Sequence, residues 1–326
     1  MRVAFDSRPS ADQYGVGRYS HCLLAALRAT ADMESEIVET HRPRGADVYH
    51  SPWLQGAVLR SPCPMVVTLH DLVPLKARGE YLRTGMRLQL RYLAVQRAVR
   101  VIVPTHAVAS DAVARLSLER KRIVVVPEAP APAMYARTDA EVAAVREELR
   151  LPEHYLLWVG SMRHPDPRRQ IAKLAAAPRE MPLVLVGPTG AWARELRNVM
   201  LTGPVTDDKL AAIYTGAHAL VLPSDDEGFG LPTVEALACN TPVVTCEVSA
   251  LKEVLAGRAT FVECGDMEAL LRAAEQARRP APKPPPWTWA DAARATWATY
   301  GAAVNEASAW RTKAIGMCRS PVGARP

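Results

Sequence analysis

The chain has 326 residues, of which 49% are hydrophobic and 23% are charged, so it is long enough for two globular domains and too apolar to be disordered. No apolar run approaches the roughly 18 residues that cross a bilayer, so we do not expect an integral membrane protein. The net charge of +6 permits an anionic partner without selecting one. Aromatic residues are only 6% and do not alternate with basic ones, so a nucleic-acid partner is not expected.

The cysteines and the N-terminus favour a cytoplasmic location. The six cysteines are scattered, with no CxxC pair, so neither a zinc site nor a disulfide framework is expected. Asp6 interrupts the apolar stretch that a signal peptide needs.

The first half of the chain alternates short apolar runs with longer amphipathic stretches. Such runs predict buried parallel strands, and the stretches between them predict helices. The predicted strands are 3–5, 47–50, 65–70, 100–103 and 123–126, and the predicted helices are 17–29, 81–98 and 108–116. A segment rich in Pro and Ala follows, so we place the first domain at residues 1–132.

The second half repeats the alternation. Its predicted strands are 155–159, 183–186, 219–222, 243–246 and 260–262, and its predicted helices are 169–177, 207–216, 233–238, 250–255 and 267–277. We place the second domain at residues 138–280. A helix over 287–306 is expected to pack back toward the first domain, and residues 307–326 are expected to form a loose tail.

This order of elements predicts an α/β protein with two Rossmann-like, doubly wound parallel-sheet domains. Ligands of such sheets bind beyond the carboxyl ends of the strands. With two domains, those ends can face each other across one cleft, so the residues at the strand exits are the candidates for function.

The segment 224–235 (SDDEGFGLPTVE) is the most informative part of the sequence. It follows a predicted strand and opens a predicted helix, with Pro232 suited to the first helical turn. Gly228 and Gly230 allow a tight loop, and free amides at a helix start bind phosphate. Glu227 and Glu235 can accept hydrogen bonds from sugar hydroxyls. The spacing alone is equally consistent with an ordinary glycine-rich loop before a helix.

The spacing of Glu227 and Glu235 resembles the E-x7-E signature of retaining glycosyltransferase family 4, whose members have the GT-B fold. Segments 15–19 (GVGRY), 50–52 (HSP) and 68–72 (TLHDL) resemble the family's glycine loop and its next two landmarks, in the expected order. The resemblance implies a retaining glycosyltransferase of the hexosyltransferase type. Such an enzyme moves a sugar from a nucleoside-diphosphate sugar to an acceptor hydroxyl on a glycan, a lipid or a natural product.

The resemblance also implies roles for residues of the second domain. Glu235 would hold the ribose of the donor, and Glu227, a catalytic residue, would contact the hydroxyls of the transferred sugar. Backbone amides at the helix start would face the sugar and its diphosphate. The donor-binding residues of this segment would be Gly230, Leu231, Pro232 and Thr233.

For the first domain, the resemblance implies that His70 is the other catalytic residue and reaches the donor sugar near the reacting carbon. Asp71 would lie on the acceptor side. Gly15 and Gly17 would let the glycine loop approach the diphosphate.

The family has a cationic pair after the strand that opens the second domain. Arg168 and Arg169 stand in this stretch, while Ser161 lies where some members have an arginine. The resemblance therefore implies that arginines and amides neutralise the diphosphate, with no metal and no other cofactor. Which arginine contacts it stays open.

Two other functions stay open as well. One is a GT-B epimerase or isomerase that acts on the nucleotide sugar alone, although such enzymes lack this E-x7-E setting. The other is a catalytically inactive homologue that still binds a nucleotide sugar, because Glu128, Ser161 and Asn240 depart from the residues common in the family.

The helix predicted at 81–98 carries Arg83, Arg87 and Arg91 four residues apart on one face. Leu90 and Leu93 belong to an apolar stripe on an adjacent face. An ordinary domain helix would turn that stripe to the core and its arginines to water. The alternative is a basic face that meets an anionic membrane or a phosphorylated lipid acceptor, which would place the protein at the inner face of the membrane.

Overall fold

The computed structural model describes residues 1–72 and 86–317. Its strands are β1 (Arg2–Phe5), β2 (Glu36–Glu39), β3 (Val48–Ser51), β4 (Met65–Thr68), β5 (Arg100–Val103), β6 (Ile123–Val125), β7 (Leu156–Val159), β8 (Leu183–Val186), β9 (Val199–Gly203), β10 (Ala219–Leu222), β11 (Val243–Cys246) and β12 (Thr260–Val262). Its α-helices are α1 (Val16–Thr30), α2 (Met86–Gln96), α3 (His106–Leu116), α4 (Asp139–Leu149), α5 (Ile171–Ala176), α6 (Ala191–Arg194), α7 (Asp207–Gly216), α8 (Leu231–Ala238), α9 (Ser249–Leu255), α10 (Met267–Glu275) and α11 (Trp289–Met317).

The strands form two six-stranded parallel sheets. The first sheet has the order β2-β1-β3-β4-β5-β6, and the second has the order β12-β11-β10-β7-β8-β9. Most of the central strands are buried along their whole length because helices cover both faces, which is why they read as continuous apolar runs. The predicted α/β class, with two doubly wound sheets, is confirmed.

The direction of winding reverses between β1 and β3 in the first sheet and between β7 and β10 in the second. A crevice opens at such a switch point, and ligands of doubly wound sheets bind there. The residues that follow β7 and β10, Ser161 and Ser224, therefore mark the expected ligand site of the second domain.

Two strands and two helices were not predicted. The strands β2 and β9 are edge strands of partly exposed residues, so they lack the apolar run of a central strand. Helix α6 has only four residues. Helix α4 has no fully buried residue, and its apolar residues, such as Val145 and Leu149, are only partly buried. It does carry a capping box of Thr138 and Glu141, a sequence signal that could have located it.

The last helix corrects one prediction. It was expected to end at residue 306 before a loose tail, but α11 continues to Met317, and residues 318–326 lie outside the described part of the chain. The helix packs along α1, where Trp297 Nε1 donates to the Leu27 carbonyl at 3.2 Å. Tyr300 Oη also lies 2.6 Å from His50 Nδ1 in the core of the first domain. These contacts tie the end of the chain to the first domain.

Candidate functional site

A cavity of about 280 Å³ lies between the carboxyl ends of the two sheets. Nine of the twelve predicted site residues line it: Gly15, His70, Asp71, Arg169, Glu227, Gly230, Leu231, Pro232 and Glu235. The other three, Gly17, Arg168 and Thr233, do not line this cavity. Lining residues to which the sequence analysis gave no role include Tyr14, Arg18, Glu128, Trp158 and Ser224.

The two domains touch each other around the cavity. Arg168 Nη1 of the second domain lies 3.6 Å from Asp71 Oδ2 of the first, and Thr105 Oγ1 donates to the Gly228 carbonyl at 3.1 Å. The Val205 amide also donates to the Tyr14 hydroxyl, at 3.4 Å. The cavity is therefore enclosed by both domains, as a site that must exclude water requires.

The start of helix α8 forms one wall. Gly230 precedes the helix with φ 83° and ψ 52°, a left-handed conformation that favours glycine. The Thr233 amide and hydroxyl both donate to the Gly230 carbonyl, at 2.9 and 2.7 Å, and Pro232 has no N–H. The prediction that all four residues of this stretch offer amides is therefore wrong. Of these four residues, Gly230 and Leu231 are the two that line the cavity and have an amide that does not donate to the Gly230 carbonyl.

The glycine loop of the first domain forms the opposite wall. Gly15 precedes α1 and lines the cavity. Gly17 is instead buried inside α1, so the structure places it beneath the loop rather than at the surface that would meet a diphosphate.

His70 is held by two acceptors just after β4. Its Nδ1 lies 3.1 Å from Glu128 Oε1, and its Nε2 lies 3.0 Å from the Pro52 carbonyl. Burial alone would lower the pKa of His70, but the hydrogen bond and charge of Glu128 outweigh it and raise the pKa. Both ring nitrogens face acceptors, so the surroundings favour the protonated ring, which donates both N–H groups to the protein. In that form the ring brings positive charge to the cavity rather than a free donor.

Arg168 and Arg169 lie in a 3-10 turn, Pro167–Arg169, before helix α5, and they face different ways. Arg169 lines the cavity, and its Nη1 donates to the Ser161 carbonyl at 2.9 Å. Arg168 makes two hydrogen bonds to Asp166, at 3.0 and 2.8 Å, and lines a neighbouring groove. Because an arginine next to the cavity can reach an anion there, Arg169 is the better placed of the two.

Glu227 lies between the cavity and the neighbouring groove. Burial raises the pKa of its carboxyl, and the nearby Arg169 and Arg168 oppose this rise. A hydrogen bond from the adjacent, fully buried Ser224 hydroxyl also lowers the pKa of this carboxyl.

Glu235 lies one turn inside α8, and only 2% of it is exposed. Its Oε1 lies 3.4 Å from Arg18 Nε of the first domain, and its Oε2 accepts a hydrogen bond from the Tyr214 hydroxyl at 3.3 Å. Burial raises the pKa of Glu235 to about 7, although Arg18 acts in the opposite direction. Arg18 belongs to the segment GVGRY (residues 15–19), but no role was predicted for it. Its charge, directly after Gly17, is the signal that could have identified it.

Glu128, Ser161 and Asn240, which depart from the residues common in the family, each form a hydrogen bond with another part of the fold. Glu128 pairs with His70, and the Ser161 carbonyl holds Arg169. Asn240 has φ 58°, which asparagine tolerates better than most residues, and its Oδ1 accepts a hydrogen bond from the Ala281 amide at 2.8 Å.

Two family models match the chain, one in each domain. The model described as Glycosyltransferase Family 4 matches residues 5–129, and the model described as Glycosyl transferases group 1 matches residues 153–278. The chain belongs to glycosyltransferase family 4. The resemblance inferred from the E-x7-E spacing and the glycine loop is confirmed.

Comparison with individual proteins agrees with this family. The D-inositol 3-phosphate glycosyltransferase of Acidothermus cellulolyticus is 31% identical over 260 residues, which are 70% of this chain and 56% of that relative. The chain thus spans little more than half of the relative's length. Sucrose-phosphate synthase from Thermosynechococcus elongatus has a TM-score of 0.68 at 19% identity, over 97% of this chain and 100% of that one. Anabaena HepE in complex with UDP-glucose has a TM-score of 0.66 at 15% identity, over 96% and 100%. These structures establish the GT-B fold.

Within residues 1–72 and 86–317, no helix combines the length and the apolar character that spanning a bilayer requires. The same residues contain no group of three or more His, Cys, Asp or Glu side chains arranged to hold a metal ion.

Proposed function

We propose that this protein is a retaining glycosyltransferase that moves a hexosyl group from a nucleoside-diphosphate sugar to an acceptor hydroxyl. One observation carries the proposal. Glu227, Glu235 and Arg169 line a single cavity, together with the backbone at the start of α8, at the switch point of the second sheet. Carboxylates suit hydroxyl groups, and an arginine beside a helix start suits a diphosphate.

We propose one orientation for the donor in this cavity. Glu235 accepts hydrogen bonds from the ribose, and Glu227 accepts them from the transferred sugar. Arg169 and the amides of Gly230 and Leu231 neutralise the diphosphate. A UDP-glucose complex of the structural relative HepE makes uridine the first base to test.

The proposed reaction is a front-face displacement. The acceptor oxygen bonds to C1 of the sugar on the face from which the diphosphate leaves, so the anomeric configuration is retained. The C1–O bond to the diphosphate breaks, and the departing phosphate oxygen takes the proton of the acceptor hydroxyl. The chain's main contribution is electrostatic. Arg169 and the α8 amides stabilise the leaving diphosphate, and the enclosing domains exclude water.

We also propose that no metal takes part. The arginine and the amides supply the positive charge that a divalent cation would otherwise supply. Transfer should persist unchanged after chelation with EDTA, and an activity that returns only with added Mg²⁺ or Mn²⁺ would disprove this part.

The test of the function has two steps. Thermal-shift measurements with UDP, GDP, ADP and dTDP identify the base, because a tight ligand raises stability as RT ln(1 + [L]/Kd). Incubation of the matching nucleotide sugars with glycan, lipid and natural-product acceptors should then give a product with retained configuration by NMR. A rearranged nucleotide sugar formed without acceptor would instead indicate an isomerase. Binding without any turnover would indicate an inactive homologue.

For the acceptor, we propose a lipid at the inner face of the cytoplasmic membrane. Residues 1–132 contain 18 Lys and Arg and 12 Asp and Glu, whereas residues 133–326 contain 22 of each. The whole net positive charge therefore belongs to the first domain, which would face an anionic surface.

The contact surface differs from the one that the sequence suggested. Arg83 and the side chain of Arg87 lie outside the described residues, and Arg91 Nη1 donates to the Ala57 carbonyl at 2.7 Å. The apolar stripe is also turned outward. Leu90 and Leu93 are 41% and 49% exposed, while Tyr92, Val95 and Ala98 of the same segment are buried.

The apolar contact surface that we propose consists of Leu59, Leu90 and Leu93, beside a groove of about 620 Å³. Co-sedimentation with vesicles tests it. Binding to anionic but not to neutral vesicles should be lost when all three leucines are changed to Ser, and should persist in the control Met33→Ser, whose side chain is fully exposed elsewhere. An absence of binding at low salt would move the proposal to a soluble acceptor.

A further inference from the structure

Arg18 bridges the two domains beside the cavity. It belongs to α1 of the first domain, and only 6% of its side chain is exposed. Its Nη2 donates to Asp207 Oδ1 at 2.6 Å, and its Nε lies 3.4 Å from Glu235 Oε1. Both carboxylates belong to the second domain. A buried arginine between two carboxylates of another domain is costly to separate from them, so these contacts link the domains at the proposed ribose subsite.

The surroundings of Glu235 contain one positive charge. Charged and titratable groups face it from three helices: Arg18 and Cys22 of α1, Asp207 and Tyr214 of α7, and Cys239 after α8. Of these groups Arg18 alone is a cation. Glu235 Oε1 faces the Arg18 guanidinium at 3.4 Å, and the carboxyl also accepts a hydrogen bond from the Ala131 backbone. Glu235 is one of the residues that line the cavity.

Burial raises the pKa of Glu235 to about 7, and Arg18 is the largest influence that lowers it. Without Arg18, burial and the negative charge of Asp207 would act together, and the pKa would rise further. A larger fraction of Glu235 would then be protonated at neutral pH, and the carboxyl would be a weaker acceptor for ribose hydroxyls.

We propose that Arg18 is a positioning residue of the nucleotide subsite, which holds the Glu235 carboxyl at the wall of the cavity from across the domain boundary. The inference rests on the proposed role of Glu235 as the ribose acceptor. Because Arg18 and Glu235 belong to different domains, it follows that the affinity for the nucleotide depends on the two domains being closed.

The chain offers a matched control for Arg18. The side chain of Arg137 is also 6% exposed, and its Nη2 lies 2.8 Å from Asp208, the neighbour of Asp207. Arg137 does not line the cavity. Arg18→Met and Arg137→Met therefore each remove a buried arginine that pairs with a carboxylate of α7, but only the first removes the cation that faces Glu235. Arg18→Lys keeps the charge and serves as a rescue variant.

The first measurement needs no ligand. The ¹³C carboxyl resonance of Glu235, assigned by its loss in Glu235→Gln, should titrate at a higher pH in Arg18→Met than in the wild type, and close to the wild-type pH in Arg18→Lys and Arg137→Met. A titration unchanged in folded Arg18→Met would overturn the proposal.

The second measurement is the affinity for UDP-glucose and GDP-mannose by calorimetry, with the tighter ligand taken forward. Arg18→Met should bind it about tenfold more weakly near pH 7, with an affinity that recovers as the pH rises, because a charge-assisted hydrogen bond has been weakened. Arg18→Lys should restore most of the affinity. Tighter binding by Arg18→Met, or a loss that is the same at every pH, would show that Arg18 blocks the subsite or contacts the phosphate instead. If the wild type binds neither sugar nucleotide, the proposed function fails, while the carboxyl titration still decides the role of Arg18.

Discussion

Gly228 lies directly against the backbone of His70 across the domain boundary. A Cβ atom built on Gly228 would lie 1.8 Å from the His70 carbonyl oxygen, a distance that no real contact allows. The glycine-rich loop of the second domain and the residue that follows β4 of the first therefore pack backbone to backbone. A side chain at position 228 would separate the domains at the cavity.

This contact predicts the effect of Gly228→Ala. The variant should lose most of its transfer activity, and its stability should fall by about 1–3 kcal/mol, as overpacking usually costs. Enzyme assay and urea unfolding measure the two effects. Gly301→Ala is the control, since a Cβ there would have no atom within 4 Å. Full activity in Gly228→Ala would show that the domains need not approach this closely.

Glu235→Ala should weaken nucleoside-diphosphate binding about ten- to a hundredfold, because a charge-assisted hydrogen bond contributes about 1.5–3 kcal/mol. Calorimetry with the preferred nucleotide measures the change. Glu268, in the first turn of α10 and exposed, is the control, and Glu268→Ala should bind as the wild type does. Unchanged affinity in a folded Glu235→Ala protein would remove Glu235 from the site.

Arg169→Met should reduce the rate of transfer strongly, because Arg169 faces the cavity and would stabilise the leaving diphosphate. We expect a fall of about a hundredfold or more in kcat, the loss that follows removal of one such donor. Arg168→Met is the matched comparison, since it removes the neighbouring arginine, which pairs with Asp166 and lines the adjacent groove instead of the cavity. An equal loss in both variants would contradict the different orientations of the two side chains.

His70→Ala should lower the rate of transfer far more than it lowers the affinity for the donor. The positive charge of the ring lies near the expected position of the reaction, where it acts mainly on the transition state. Steady-state kinetics and direct donor binding separate the two effects. If the affinity falls while the rate at saturation does not, His70 only positions the donor.

The His70–Glu128 pair also predicts how stability depends on pH. The pKa of His70 is raised in the folded protein above its ordinary value of 6.5. The pair therefore contributes its full stability below about pH 6.5 and loses it as the pH rises through the folded-state pKa. Glu128→Gln should be less stable than the wild type by about 1.5–3 kcal/mol near pH 6, where His70 is charged and a carboxylate is ionised, and the difference should shrink as the pH rises. Urea unfolding at several pH values measures this. A difference that stays constant with pH would mean that His70 is neutral.

Much of the fold follows from local patterns. The central strands are continuous apolar runs because both faces of each sheet are covered, and this pattern is visible in the sequence. The edge strands β2 and β9 and the solvent-facing helix α4 lack such a pattern. For α2, an ordinary domain helix would have turned the apolar stripe with Leu90 and Leu93 to the core, but both residues are exposed. Periodicity shows that a helix has an apolar stripe but not what packs against it.

The sequence by itself determined the two-domain architecture, the family, and nine of the residues that line the cavity, because those features depend on short contiguous motifs such as the glycine loop and E-x7-E. Only the tertiary structure decided which of two adjacent arginines lines the cavity: Arg169 does, whereas Arg168 lines the neighbouring groove. The tertiary structure alone also paired His70 with Glu128, 58 residues away, and Arg18 with Asp207, 189 residues away. Such pairs form when the fold brings together charged residues that are far apart in the sequence, so the spacing of residues along the chain does not predict them.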